Sequence, residues 1–218
     1  MHETLQKLER GYLNRRYTIL FYTLLFMMVA FPVTAALGMS GNLIESLLAV
    51  CLLAAVMPVD TGKNRTLFFA IVTSAWLSRP VVAWLGLKSL SAMTLVTWTV
   101  IGLLAAAGAL RFAMQGTDVD SEHLFAALSA YLLAGIYFGL LYWALEQVWP
   151  GMFAASNFSR NAATYFSFVT LATLGYGDIV PRSEVARGLA VVEAIGGQLF
   201  LAVLVARLLS LYSNSAKQ

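Results

Sequence analysis

Thr170-Leu-Ala-Thr173-Leu-Gly175-Tyr176-Gly177-Asp178 lies between two apolar stretches, each long enough to cross a membrane, and its reading decides the fold. Gly175 and Gly177 alternate with bulkier residues. Glycine enters positive φ at little cost, so this segment can run extended with alternating backbone geometry and turn its carbonyls to one side. Thr173, Leu174, Gly175 and Tyr176 then offer a column of carbonyl oxygens, with the Thr173 hydroxyl as the innermost ligand. Stripping water from a cation is costly, and such a column replaces its hydration shell. The ring of Tyr176 is expected to point away from the column, into supporting protein.

Composition places this segment in a membrane protein. The 218 residues are 60% hydrophobic and 11% charged, with a mean hydropathy of +0.76, beyond the needs of a soluble domain. The net charge of +3 comes from Lys and Arg flanking apolar runs, so nucleic acid is not an expected partner. The single cysteine, Cys51, sits in an apolar run and reads as a packing residue. His2 and His123 are isolated, and no cluster of His, Cys and carboxylates suggests a catalytic centre, an organic cofactor or an enzyme.

The nine-residue stretch resembles the signature of the potassium channel family. It matches at Thr170, Thr173, Gly175, Tyr176, Gly177 and Asp178, and Ile179-Val180-Pro181 follows as is common in that family. A bare Gly-Tyr-Gly also occurs in ordinary turns; here the neighbours on both sides fit as well. The resemblance implies K⁺ as the permeant ion, held at Thr173, Leu174, Gly175 and Tyr176, with Gly177 closing the filter and Asp178 ringing its outer mouth. No second copy of the filter is found in the chain. One chain then supplies one quarter of a pore, and a homotetramer with fourfold symmetry is expected.

Six stretches can cross a bilayer: Tyr17 to Leu37, Leu43 to Val59, Leu67 to Leu87, Leu90 to Met114, Leu124 to Glu146 and Val185 to Leu211. The expected fold is an all-α membrane protein with six transmembrane helices, a re-entrant pore helix and a selectivity-filter loop. The first stretch, preceded by Lys7, Arg10, Arg15 and Arg16, is too long for a signal-peptide core and reads as a retained helix. The Lys and Arg bias puts both termini on the cytoplasmic side, with Lys63, Arg65, Arg111 and Arg207. Lys88, Arg160, Arg182 and Arg187 fall outside, near an outer belt of Trp84, Trp143 and Trp149. A bacterial inner membrane is the expected location. The polar stretch 115–123 divides the chain into a four-helix part, 1–114, and a pore part, 115–218.

Within the pore part, Asn157 and Ser159 are candidate N-caps of a short helix ending near Ala172. Its C-terminal dipole end favours a cation. Thr170 reads as filter support. By resemblance, Tyr165 and Phe166 brace the filter tyrosine; plain interior packing fits the same residues. In the last stretch, Gly197 falls at the family's hinge position, and equally suits close helix packing. Gln198, Leu201, Ala202 and Val205 share one helical face, the expected cavity lining. Glu193 points away from that face, as a structural acid bonded to Ser167 or Thr170, or as a proton sensor. Glu45 and Arg79 read as an outer-leaflet ion pair, or as an Arg79 that reaches the headgroups alone.

The resemblance fails in the first four helices. A voltage-sensor helix carries Arg or Lys at every third position, whereas Leu90 to Met114 carries only Arg111. Few residues follow the last helix, so no nucleotide- or calcium-binding domain is expected in this chain. Opening is expected to act through the membrane helices, the lipid, pH or an unidentified partner protein. A weakly selective cation channel, and a non-conducting sensor or accessory subunit with a pore-like fold, are the alternatives.

Overall fold

In the computed structural model the described residues are 15–37, 73–74, 88–115, 121–155 and 157–215. They form α1 (Arg16–Ala36), α2 (Lys88–Gln115), α3 (Ser121–Val148), β1 (Phe153–Ala154), α4 (Arg160–Leu171), β2 (Val180–Pro181) and α5 (Glu184–Ser215). Thr73 and Ser74 are also helical. Otherwise the expected helices Leu43 to Val59 and Leu67 to Leu87, with Glu45, Cys51, Arg79 and Trp84, lie outside the described residues.

The chain is mostly helical. Among the described residues, four helices are long and apolar enough to cross a membrane: Arg16–Thr34 in α1, Thr94–Gln115 in α2, all of α3, and Glu184–Ser210 in α5. The fifth, α4, has 12 residues. It rises only about 18 Å against a hydrocarbon core of about 30 Å. Helix α3 starts three residues earlier than the apolar run suggests, because Ser121, Glu122 and His123 join its first turn instead of a linker. An acid in a first turn suits the helix dipole.

Two compact units divide the described residues. The first holds α1, α2 from Ala105 and α3 as far as Leu132. In it the Glu122 carboxylate accepts the backbone N–H groups of Tyr17 at 3.0 Å and Thr18 at 3.3 Å, and the Thr18 hydroxyl. A side chain from α3 thereby satisfies donors that the start of α1 leaves open. The Arg16 guanidinium lies 4.7 Å from the ring centroids of both Tyr17 and Phe112, and Phe112 stacks on His123 at 4.8 Å.

The second unit holds α2 as far as Leu104, α3 from Leu133, and the chain beyond. Its core gathers Tyr142, Leu145, Met152, Phe153, Ala163, Phe166 and Ala186. The aromatic rings meet edge to face, Tyr142 on Phe166 at 5.1 Å and Phe153 on Phe166 at 5.3 Å. Small residues let backbones close in: an added Cβ on Gly139 would stand 2.6 Å from Thr164 Cα. Helix α4 therefore lies directly on α3.

Between α3 and α5 the strands pair antiparallel, Phe153 with Pro181 and Ala154 with Val180. The Arg182 N–H donates to Met152 O at 2.7 Å. The Glu146 carboxylate accepts from Gly151 N at 2.7 Å and Phe153 N at 3.2 Å. This ribbon ties the segment after Asp178 to the end of α3.

Candidate functional site

The site is the loop between α4 and β2. Ser159 caps α4, its Oγ accepting from Ala162 N at 3.2 Å. Asn157, the other candidate, instead lends its carbonyl to Ser159 N at 3.0 Å. The helix stops at Leu171 through a Schellman closure. Thr173 N donates to Thr170 O at 2.9 Å and Leu174 N to Val169 O at 2.8 Å. This closure needs a left-handed residue, usually glycine, and here that residue is Thr173, at φ 56°. Left-handed backbone is rare for a β-branched residue.

Left-handed geometry then recurs at every second position. After Thr173 come Gly175 at φ 57° and Gly177 at φ 78°. Among the described residues, the one other positive φ is Gly151. An added Cβ on Gly175 or Gly177 would meet nothing within 4 Å. Backbone conformation, not crowding within the chain, therefore calls for glycine there. Sequence reasoning found the two glycines and missed that Thr173 shares their geometry. The Schellman spacing from a capped helix start was the signal that could have located it.

Around the loop, each expected support residue has a defined place. Thr170 supplies a backbone carbonyl to the closure. Phe166 is buried in the aromatic core with Tyr142 and Phe153. Tyr165 is exposed on α4 in the single chain. Leu174 and Tyr176 are 56% and 66% exposed in the single chain.

Helix α5 meets the loop through neighbouring residues. An added Cβ on Gly197 would stand 2.3 Å from Leu171 O, so α5 presses its backbone against the end of α4. The next residue, Gln198, donates from Nε2 to Thr173 Oγ1 at 3.2 Å. One turn back, Glu193 is 1% exposed. Its carboxyl oxygens lie 2.5 Å from Ser167 Oγ and 2.7 Å from Tyr142 Oη. Ser167 is thus its contact on α4, while Tyr142 on α3 was missed from sequence. Leu201, Ala202 and Val205 lie exposed on α5 with Gln198. So do Val191, Val192, Ile195, Leu199 and Leu209.

A family model described as "Ion channel" matches residues 127–214. The match starts within α3 and includes α4, the loop and most of α5. This segment therefore resembles the pore region of ion channels. It is similar to the inward rectifier potassium channel Kirbac3.1 of Paramagnetospirillum magnetotacticum, at 38% identity over 77 residues. That alignment takes in 34% of this chain and 24% of the relative, so this chain spans about a quarter of the relative's length. No solved structure matches. The pore segment and the apolar helices together point to an integral membrane channel rather than an enzyme.

Proposed function

We propose that the chain is one quarter of a homotetrameric K⁺-selective channel. Four loops would bring the carbonyls of Thr173, Leu174, Gly175 and Tyr176, with the Thr173 hydroxyls, around one axis to replace the hydration shell of K⁺. The observation that carries this reading is the left-handed backbone at every second residue, Thr173, Gly175 and Gly177, directly after a capped short helix. That alternation aims successive carbonyls to one side. The relative's name, an inward rectifier potassium channel, supports the choice of ion.

Tetramer formation rests on exposure. Leu174, Tyr176 and a long apolar row on α5 are uncovered in one chain, and a ring of ligands needs more than one copy. In this reading α4 is a re-entrant pore helix, 115–218 is the pore domain, and six helices cross a cytoplasmic membrane with both termini inside. Asp178 rings the outer mouth. Gln198, Leu201, Ala202 and Val205 line the cavity, and Gly197 bends or seats the inner helix. The lipid bilayer is the other partner, and the opening stimulus reaches the pore through the membrane helices or another protein.

Flux of K⁺ and Na⁺ through purified protein in liposomes tests the reading. K⁺ passage with Na⁺ excluded is the expected result. Equal passage of both ions would favour a weakly selective cation channel. No flux from an assembled tetramer would favour a sensor or accessory subunit.

A further inference from the structure

Thr173 carries, beside the backbone geometry of the filter, a side-chain contact that the filter reading does not itself require. Its backbone is left-handed at φ 56°, a conformation that glycine would adopt without strain. Its hydroxyl accepts a hydrogen bond from Gln198 Nε2 at 3.2 Å. The close seat of Gly197 on Leu171 O sets the register of this contact, because it anchors α5 against α4 one residue earlier. We propose that Gln198 is a positioning residue that sets the cation affinity of the innermost filter site through the Thr173 hydroxyl. This rests on the filter reading above.

The chemistry follows from counting lone pairs. A threonine hydroxyl has one proton and two lone pairs. The Gln198 amide occupies one lone pair, which fixes the hydroxyl's rotation and leaves the other for a cation. The same N–H brings a partial positive charge beside the ligand oxygen, which opposes the charge of a cation held there. The oxygen then holds a cation less tightly than an undonated hydroxyl does. A conducting site must bind well enough to admit an ion and weakly enough to release it. Gln198 shifts that balance toward release at the inner end of the filter. Gln198 thus stands within reach of the first ligand an ion meets from the cavity side, and acts on that ligand without joining the carbonyl column.

Ba²⁺ block of single channels in planar bilayers reads this site, since Ba²⁺ matches K⁺ in size and carries twice the charge. Gln198→Met keeps the length and removes the donor. Block is expected to tighten roughly fivefold, the scale of one lost hydrogen bond, with preference for K⁺ over Na⁺ retained. Gln198→Glu, which turns the contact around so that the Thr173 hydroxyl donates, should tighten block further. In a Thr173→Val background, Gln198→Met should change block no further. Unchanged or weaker block in Gln198→Met, in a parent that passes K⁺ selectively, overturns the inference and leaves the filter reading standing. Loss of K⁺ preference in Gln198→Met marks a mere strut and also overturns it. A parent that passes no K⁺ overturns both.

Discussion

The backbone of Gly197 rests against the carbonyl of Leu171, where an added Cβ would stand 2.3 Å from the oxygen. Its neighbour Gly196 would meet nothing within 4 Å. Two adjacent glycines therefore make opposite predictions. Gly197→Ala forces α5 off α4 and should destabilise the assembled protein by about 1–3 kcal/mol, the cost of overpacking. Gly196→Ala should be neutral or gain up to about 1 kcal/mol of helix propensity. Thermal unfolding of the purified protein checks this. Equal loss in both variants would sink the close-packing account of Gly197.

Left-handed backbone at Thr173, Gly175 and Gly177 separates stability from selectivity. Gly177→Ala adds a Cβ where φ is 78°, at a cost of about 1–2 kcal/mol per subunit, and should abolish selective K⁺ flux. Thr173→Gly should instead leave unfolding temperature unchanged or higher, because strain is relieved, while removing the hydroxyl and lowering K⁺ preference. Liposome flux beside a melting curve reads both. A Gly177→Ala protein that still passes K⁺ and excludes Na⁺ like the parent would show that carbonyl geometry is not the selective element.

Ser167 sets the terms for Glu193. Its single hydroxyl proton faces two acceptors, Glu193 Oε1 at 2.5 Å and Gly135 O at 2.7 Å. An amide at position 193 resolves the conflict: its N–H donates to Ser167 Oγ, Ser167 donates to Gly135 O, and the amide oxygen accepts from Tyr142. Glu193→Gln should therefore melt within about 1 kcal/mol of the parent, whereas Glu193→Leu leaves the buried Tyr142 hydroxyl without its acceptor, at about 1–3 kcal/mol. If Glu193→Gln is the more damaging of the two, the charge itself holds the site together. A pH dependence of flux that disappears in Glu193→Gln would assign Glu193 a proton-sensing role in addition.

Voltage sensitivity should be shallow. One elementary charge crossing the whole field gains about 2.3 kcal/mol per 100 mV, and steep gating needs several per subunit. The span Thr94–Gln115 of α2 carries only Arg111, close to its end. Single-channel recording should find open probability changing gently with voltage. A dependence as sharp as that of arginine-rich sensors would mean that charges outside α2 move.

What could be read from the chain alone was local. Ser159, the helix it caps and the glycine spacing after it declare themselves within twenty residues, and the apolar length of α3 and α5 is visible without partners. What escaped depends on chain segments meeting. Tyr142 lies 51 residues from Glu193, and Glu122 lies 105 from the Tyr17 amide it accepts. The β1–β2 ribbon has two residues per strand, too few to show a period of two. Thr173 was missed for another reason: a β-branched residue is a poor candidate for left-handed backbone until the helix closure demands it.

The ribbon has a mechanical consequence. The loop leaves a helix end moored to α5 and returns through a strand moored to the α3 terminus by Glu146 and by Met152, which holds Arg182. Only residues 172–179 hang between these abutments. A span that short, fixed at both ends, has little slack to lose, so most of its ordering entropy is already spent before any ion arrives. Tension in the loop is then set at Glu146 and Met152, outside the loop itself, and loosening either mooring slackens the whole span.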